Sequence, residues 1–215
     1  MDRVDLGRGA WIAYDPAWLG EEEATALQAD LASGLRWEQR PIVVGGREVM
    51  QPRLMAWAGD LPYRYSGQTL PPEPLTGALA DLTARVAAAC GVPFNHVVVN
   101  RYRDGRDNIG RHADAEPELG WLPTIASLSL GARRRFVLSR KGRRKERNLR
   151  LGHGSLLVMG GSLQHTWYHA VPKDRGCEQE RLNLTFRLLI GPPGTRMEGG
   201  WIDAMRARAG LAARG

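Results

Sequence analysis

Four polar side chains near the middle of the chain are spaced so that they could bind a ligand and a metal ion. Asn100 and Tyr102 follow the apolar run His96–Val99, which predicts a buried strand, and residues two apart on a strand share a face. His112 and Asp114 repeat this spacing after a turn-rich loop. An imidazole beside a carboxylate supplies two of the three protein ligands of iron in the two-histidine, one-carboxylate pattern.

A third ligand has to come from further along the chain, where three histidines follow: His153, His165 and His169. His153 opens a Gly-containing turn before an apolar run, and the other two flank Thr-Trp-Tyr. A lone histidine is most often a hydrogen-bonded structural residue. The spacing alone therefore leaves the choice among the three open.

Residues 181–187 alternate strictly between polar and apolar side chains. Arg181, Asn183, Thr185 and Arg187 share one face of the predicted strand, and two leucines and a phenylalanine share the other. We expect the apolar face to pack in the core between two sheets and the polar face to line a solvated surface. Two guanidiniums there can each bind a carboxylate through paired hydrogen bonds, which suits a small dicarboxylate. A basic strand edge that faces solvent is the alternative.

Positive charge is concentrated in one segment of the chain. The protein has 30 Lys and Arg against 23 Asp and Glu, a net charge of +7. Residues 131–150 contain ten Lys and Arg and one Glu, an excess larger than that of the whole chain. Such a segment is typical of phosphate binding, with Arg143 and Arg144 at its centre, although a solvated loop is the alternative.

Aromatic residues interleaved with arginine follow residue 56. Trp57, Tyr63 and Tyr65 could stack on nucleobases, because every base offers a π-face. The alternative is that they are half-buried strand residues, which is common for aromatic side chains.

Size and composition limit the class of protein. The 215 residues suffice for one domain with a substantial core. Cys90 and Cys177 have no paired spacing, so the sequence favours neither a disulfide framework nor a cysteine-based zinc site. We see neither a secretory signal nor an apolar run long enough to span a membrane, and we expect a cytoplasmic protein.

The chain reads as α+β and mainly β. Helical periodicity predicts helices over 21–33 and 75–90, the second with a Leu/Val stripe that packs on the outside of a sheet. A Gly-Gly turn at 45–46 joins two short strands in a hairpin. Residues 96–190 alternate as short strands of a sandwich or barrel. We therefore expect N-terminal helices and a hairpin region over 1–95, a strand-rich core over 96–190 and a C-terminal tail over 191–215.

Taken together, the motifs resemble those of the AlkB-type iron(II)- and 2-oxoglutarate-dependent dioxygenases, which demethylate alkylated nucleobases. The resemblance covers about residues 40–190. It rests on an ordered set of motifs: Pro52-Arg53, Tyr63-x-Tyr65-Ser66-Gly67, Asn100-Arg101-Tyr102, His112-x-Asp114, His153-Gly-Ser-Leu, Trp167-Tyr168-His169 and Arg181-x-Asn183-Leu-Thr-Phe-Arg187. It implies a double-stranded β-helix (jelly roll) fold.

The resemblance also implies a set of ligands and a reaction. Fe(II) would be held by the catalytic residues His112, Asp114 and His169. The co-substrate 2-oxoglutarate would be bound by Asn100, Tyr102, Arg181, Asn183 and Arg187, with Arg181 and Tyr102 at its distal carboxylate. With O2, bases such as 1-methyladenine and 3-methylcytosine would be demethylated, and succinate, CO2 and formaldehyde released.

The resemblance finally implies contacts with a flipped base and a nucleic-acid partner. Tyr63 would lie against the cationic methylated base and Glu116 would contact its exocyclic amine. Relatives that act on duplex DNA carry a bulky wedge on a hairpin, where this chain has Val44 beside the Gly-Gly turn. We expect a monomer that acts on DNA. Action on RNA, and a catalytically silent nucleic-acid-binding module, are the alternatives.

Overall fold

The computed structural model describes residues 1–44, 46–65, 68–143 and 146–190, without the side chains of Val44 and Tyr65. In chain order the strands are β1 (Arg3–Gly7), β2 (Ala10–Asp15), β3 (Pro41–Val44), β4 (Arg47–Met50), β5 (Leu54–Gly59), β6 (Tyr63–Tyr65), β7 (Gln68–Leu70), β8 (His96–Tyr102), β9 (Ile109–His112), β10 (Ile125–Gly131), β11 (Arg134–Arg140), β12 (Glu146–Leu151), β13 (Ser155–Gly161), β14 (Trp167–Val171) and β15 (Arg181–Arg187). The helices are α1 (Glu21–Gly34), α2 (Gly77–Cys90) and the short α3 (Leu163–Thr166).

Two antiparallel sheets form the jelly roll that the sequence predicts. The larger sheet has the strand order β1-β2-β13-β10-β15-β8-β5, and the smaller one has the order β12-β11-β14-β9. Strands β1, β2 and β5 come from the first 95 residues, so the larger sheet extends beyond the expected core of 96–190. The expected tail over 191–215 lies outside the described residues.

The two long helices cover the outer face of the larger sheet. Leu79, Leu82 and Val86 of α2 belong to the same buried cluster as Val97 and Val99 of β8. This confirms that the Leu/Val stripe packs on the outside of the sheet. Gly91 ends α2 with φ of +67°, a left-handed conformation that glycine adopts without a steric penalty. None of the helices in the described ranges is long and apolar enough to cross a membrane.

Strand β15 is oriented opposite to our expectation. Its apolar residues Leu182, Leu184 and Phe186 lie in the outer cluster beneath the helices, whereas its polar face points between the two sheets. All seven residues of the strand are buried. The space between the sheets therefore holds a polar cavity, and the helices rather than the second sheet bury the leucines.

Two hairpins, β3–β4 and β6–β7, extend the fold beside the edge strand β5. The β3–β4 hairpin is the one that the Gly-Gly turn predicts. The side-chain amide of Gln68 donates to the carbonyl of Pro41 and so joins the two hairpins. Trp57 of β5 lies beneath them: its indole N–H donates to the Pro71 carbonyl (2.8 Å), and the Arg40 guanidinium lies 4.9 Å from its ring centroid.

Candidate active site

Three side chains of the ligand type converge between the sheets. Strands β9 and β14 pair in a register that sets His169 opposite His112, and Asp114 follows two residues later. Nε2 of His112 lies 3.9 Å from Oδ1 of Asp114, and Nε2 of His169 lies 3.8 Å from Oδ2. One ligand atom from each residue lies within 4.8 Å of the other two.

The other two histidines that the sequence left open lie elsewhere. Nδ1 of His153 accepts the backbone N–H of Gly131 (2.7 Å), and its Nε2 contacts the hydroxyl of Thr25 (3.2 Å). His165 stacks on the ring of Trp121. His169 is therefore the histidine that joins His112 and Asp114.

Neighbouring groups fix the orientation of these ligands. Nδ1 of His112 lies 2.9 Å from the carbonyl of Gly110, an arrangement in which Nδ1 carries the hydrogen and Nε2 keeps its lone pair. The backbone N–H of Asp114 donates to Oε1 of the buried Gln164 (3.0 Å), and Phe136 stacks on His169 with ring centroids 5.5 Å apart.

The electrostatics suit a divalent metal ion. Burial by itself would raise the pKa of Asp114, but the charge of Arg187 and the two nearby imidazoles outweigh it and lower the pKa to about 2. Burial, followed by the charge of His112, lowers the pKa of His169 to about 3. Oδ2 of Asp114 is buried and has no hydrogen-bond partner among the described residues. A carboxylate with two neutral imidazoles is the donor set of non-haem Fe(II).

A candidate anion-binding residue, Arg181, lies next to this cavity. Arg181 pairs with Tyr102 across β15 and β8, and its Nη2 donates to the hydroxyl of Ser129 (2.9 Å). Its Nε and Nη1 are buried and find no acceptor in the part of the chain that the structure describes. Burial lowers the pKa of this guanidinium to about 10. A buried cation with unpaired N–H groups fits a carboxylate, as 2-oxoglutarate would supply.

The other residues expected to bind the keto acid, unlike Arg181, line the cavity that holds the metal-ligand candidates, but each has protein contacts. Arg187 donates from Nη2 to Oδ1 of Asp114 (3.0 Å), so it holds the metal ligand. The amide of Asn183 donates to Ser127 and so connects β15 to β10. Oδ1 of Asn100 accepts Nε of Arg53 at 2.6 Å.

Three residues support the site in ways that our sequence interpretation did not predict: Arg53, Gln164 and Arg134. Arg53 belongs to the Pro-Arg motif, and its buried guanidinium also reaches the carbonyl of Asn108 (3.3 Å). Gln164 lies one residue before His165, where no pattern marks it.

Arg134 is the third of these residues and is almost fully buried. It donates to the carbonyls of Asp104, Asp107 and Pro172 at 2.9–3.0 Å, and its guanidinium lies 5.6 Å from the ring centroid of Tyr102. It thereby joins two loops behind the anion site. The sequence counted it only as part of the basic segment.

Tyr63 and Glu116, the expected base contacts, lie together above the metal ligands. The Tyr63 side chain is fully buried, and its hydrogen bond with Glu116 lowers the pKa of that carboxyl. Burial and the charge of Asp114 act more strongly and raise it overall. The guanidinium of Arg187 lies 5.4 Å from the Tyr63 ring centroid. Tyr63 thus connects the β6–β7 hairpin to the metal site.

The structure contradicts our expectation for Trp57. Only 7% of the residue is exposed and its N–H is occupied by a backbone carbonyl, so it supports the hairpins and has no free face for a base. Arg143 is exposed at the end of the β11 turn, as the basic-segment hypothesis requires. Arg144 and the side chains of Val44 and Tyr65 lie outside the described part of the chain.

Comparisons with known proteins agree with this geometry. A profile of the 2OG-Fe(II) oxygenase superfamily matches residues 12–187. Over 192 residues the chain is 38% identical to alpha-ketoglutarate-dependent dioxygenase alkB homolog 3 of Rattus norvegicus, an alignment that covers 85% of this chain and 65% of the relative. Over 159 residues it is 40% identical to DNA oxidative demethylase ALKBH2 of Bos taurus, covering 69% and 57%. The chain thus spans about two thirds or less of these relatives.

Solved structures share the fold at lower identity. The structure of OsALKBH1 superposes with a TM-score of 0.61 and 16% sequence identity, and the match covers 87% of this chain and 100% of that chain. At this identity the likeness shows the jelly-roll architecture alone.

Proposed function

Because this chain belongs to the 2OG-Fe(II) oxygenase superfamily, and within it to the AlkB-like proteins, we propose that it is a dioxygenase that demethylates N-alkylated bases in DNA. Fe(II), O2 and 2-oxoglutarate are its expected cofactors and co-substrates. When bound, they supply the oxidising chemistry that releases the methyl group as formaldehyde and leaves succinate and CO2. Bases of the 1-methyladenine and 3-methylcytosine type are the proposed substrates.

One observation carries the proposal: a buried carboxylate and two neutral imidazoles meet in a cavity between the sheets, and Arg181, paired with the cavity residue Tyr102, has a buried Nε and Nη1 with no acceptor among the described residues. His112, Asp114 and His169 would hold the iron. Arg181 would bind one carboxylate of the keto acid. A module that only binds nucleic acid has no use for this combination, because an unfilled buried charge costs stability.

The residues above the metal ligands suit a cationic base. Glu116 is half-buried near the buried Asp114, and burial, followed by the charge of Asp114, raises the pKa of Glu116. A positively charged methylated base would relieve their repulsion, and the exocyclic amine could donate to the buried Oε2 of Glu116. Tyr63 stays the proposed aromatic contact of this cation, and because its ring is fully buried in the structure, base binding has to uncover it.

The direct test is a demethylation assay. Protein, Fe(II) and 2-oxoglutarate are mixed in air with oligonucleotides that contain 1-methyladenine or 3-methylcytosine, as single-stranded DNA, duplex DNA and RNA. We expect formaldehyde and the restored base, with DNA preferred over RNA. Absence of turnover by folded, iron-loaded protein on every substrate would refute the proposal.

A His112→Ala variant separates the enzyme from the silent binding module. Loss of turnover with retained oligonucleotide affinity is the expected result for an enzyme. A cytoplasmic location and a monomeric state remain predictions, which cell fractionation and light scattering after size-exclusion chromatography can test.

A further inference from the structure

The loop that follows the metal ligand Asp114 carries an exposed indole. Trp121 is 76% exposed and the adjacent Leu122 is 55% exposed, so this pair is one of the most exposed apolar features of the described chain. Neighbouring large apolar side chains that are exposed are one mark of a binding surface. The mechanism proposed above has no use for either residue.

The indole is held rather than loose. The imidazole of His165 stacks on it, with ring centroids 4.4 Å apart and 29° between the planes. Nε2 of His165 also contacts the carbonyl of Trp121. One face of the indole is therefore covered by His165, while the other is open to solvent.

The short helix α3 contacts both Trp121 and a basic turn. His165 lies in α3 next to Gln164, whose Oε1 accepts the backbone N–H of Asp114. On the other side of α3, the ammonium of Lys141 donates to the Gln164 carbonyl (2.9 Å), and its backbone N–H donates to Thr166 (3.0 Å). One short helix thus connects the metal ligand, the exposed indole and the turn.

The charge around this turn is positive. Lys141 lies 4.6 Å from the ring centroid of Tyr168, and Arg111 lies 5.2 Å from the same ring. Arg143 is exposed at the end of the turn. The open π-face of Trp121 and the nearby cations suit a nucleotide, because a base stacks on the ring and its phosphate binds the cations. A protein partner fits less well, because two exposed apolar residues are too small an area for a stable protein interface.

We propose that Trp121 is a stacking platform for an unpaired base next to the target nucleotide, while Lys141 and Arg143 bind the adjoining phosphate. The inference rests on the proposed function and adds the surface that holds the strand beside the lesion. Because His165 covers one face of the indole, Trp121 can stack on one base and cannot insert as a wedge between two. The partner is therefore a single strand, or an unpaired segment of a duplex.

The test compares Trp121→Ala with Trp121→Phe in the full chain. Fluorescence anisotropy without oxygen measures the affinity for a single-stranded oligonucleotide that contains 1-methyladenine. We expect Trp121→Ala to weaken binding about tenfold, the typical effect of losing one stacked base, and Trp121→Phe to retain most of the affinity. Val4→Ala, at another exposed apolar residue on β1, serves as the control with unchanged affinity.

Abasic sites then locate the stacked base. One abasic position beside the lesion should weaken binding by the wild type about as much as Trp121→Ala does, and should have no further effect on that variant. Wild-type affinity in Trp121→Ala, or the lack of such a position, would overturn the inference. If the wild type binds in this way but releases no formaldehyde, the proposed function fails while the stacking surface stands.

Discussion

Arg181 differs from the other arginines of the site because its guanidinium has too few hydrogen-bond acceptors around it. Its Nη2 donates to Ser129 and the Tyr102 side chain hydrogen-bonds the guanidinium, but the buried Nε and Nη1 have no acceptor among the described residues. In a ligand-free protein such a cation is destabilising, which is the reason to expect an anion beside it.

Replacing Arg181 by Lys should weaken the binding of 2-oxoglutarate. Lysine keeps the charge but loses the planar fork that binds a carboxylate through two hydrogen bonds, so we expect the KM for 2-oxoglutarate to rise by about tenfold or more. Steady-state kinetics of formaldehyde release at varied 2-oxoglutarate concentration measure this KM. Arg101→Lys is the control, because Arg101 pairs with Glu180 on the same strand pair and should change KM little. An unaltered KM in Arg181→Lys would remove this residue from the anion site.

His96 makes the stability of the fold depend on pH. Burial, followed by the charge of Arg187, lowers the pKa of His96 to about 3, whereas an unfolded histidine has a pKa of about 6.5. Between these values the unfolded chain binds one proton more than the folded chain. The contribution of His96 to the free energy of unfolding is therefore complete above pH 6.5. It falls by about 1.4 kcal/mol for each pH unit between 6.5 and the folded-state pKa.

His96→Phe should reduce this dependence. Phenylalanine has no proton to bind and can keep the edge-on contact with Tyr63, whose ring centroid lies 5.0 Å away. Urea unfolding between pH 4 and 7 measures the slope, and we expect the variant to lose less stability on acidification than the wild type. Equal slopes would show that His96 is protonated in the folded protein.

Sequence reasoning at the residue scale named the candidate metal ligands that the fold brings together and missed the residues that position them. His112 and Asp114 are recognisable because strand spacing fixes their common side. Gln164 and Arg134 act on backbone groups far away in the sequence, and nothing in their local pattern records such partners.

At the scale of elements, alternation in β15 predicted a strand but not its orientation. In a strand with two buried faces, the polar and apolar residues alternate in the same way whether the apolar face packs on helices or on a second sheet. The sequence therefore could not decide which face lines the cavity. The helices and the β3–β4 hairpin were predictable because capping, helical periodicity and turn residues are local signals. The β1–β2 hairpin was missed, although its strands are longer than those of β3–β4.

Two loops packed in contact hold the back of the anion site. A Cβ added at Gly105 would lie 1.6 Å from the carbonyl oxygen of Asp174, a clash with backbone that no rotamer relieves. We expect Gly105→Ala to destabilise the protein by about 3 kcal/mol or more. Gly152→Ala is the matched control, since a Cβ there meets nothing within 4 Å. Equal urea midpoints for the two variants would mean that the loops separate easily.

At the scale of the whole molecule, the net charge of +7 comes largely from one segment. Neutralising Arg143, Arg144 and Lys145 should weaken oligonucleotide binding and flatten its dependence on salt, because fewer counterions are released from the phosphates. Anisotropy titrations at several salt concentrations give the slope. Arg85→Ala, on a helix that covers the outer face of the larger sheet, should leave the slope unchanged. If the triple variant keeps the wild-type slope, the phosphate footprint lies elsewhere.

The polar interior between the sheets should make the resistance of this protein to proteolysis depend on the concentration of 2-oxoglutarate. Arg181 and Arg187 are both buried, and we expect an anion beside Arg181 to stabilise the folded chain. A ligand that binds only the folded state stabilises it in proportion to the logarithm of its concentration once that concentration exceeds Kd. Cells short of 2-oxoglutarate would thus hold the protein in its less stable form, which proteases degrade first.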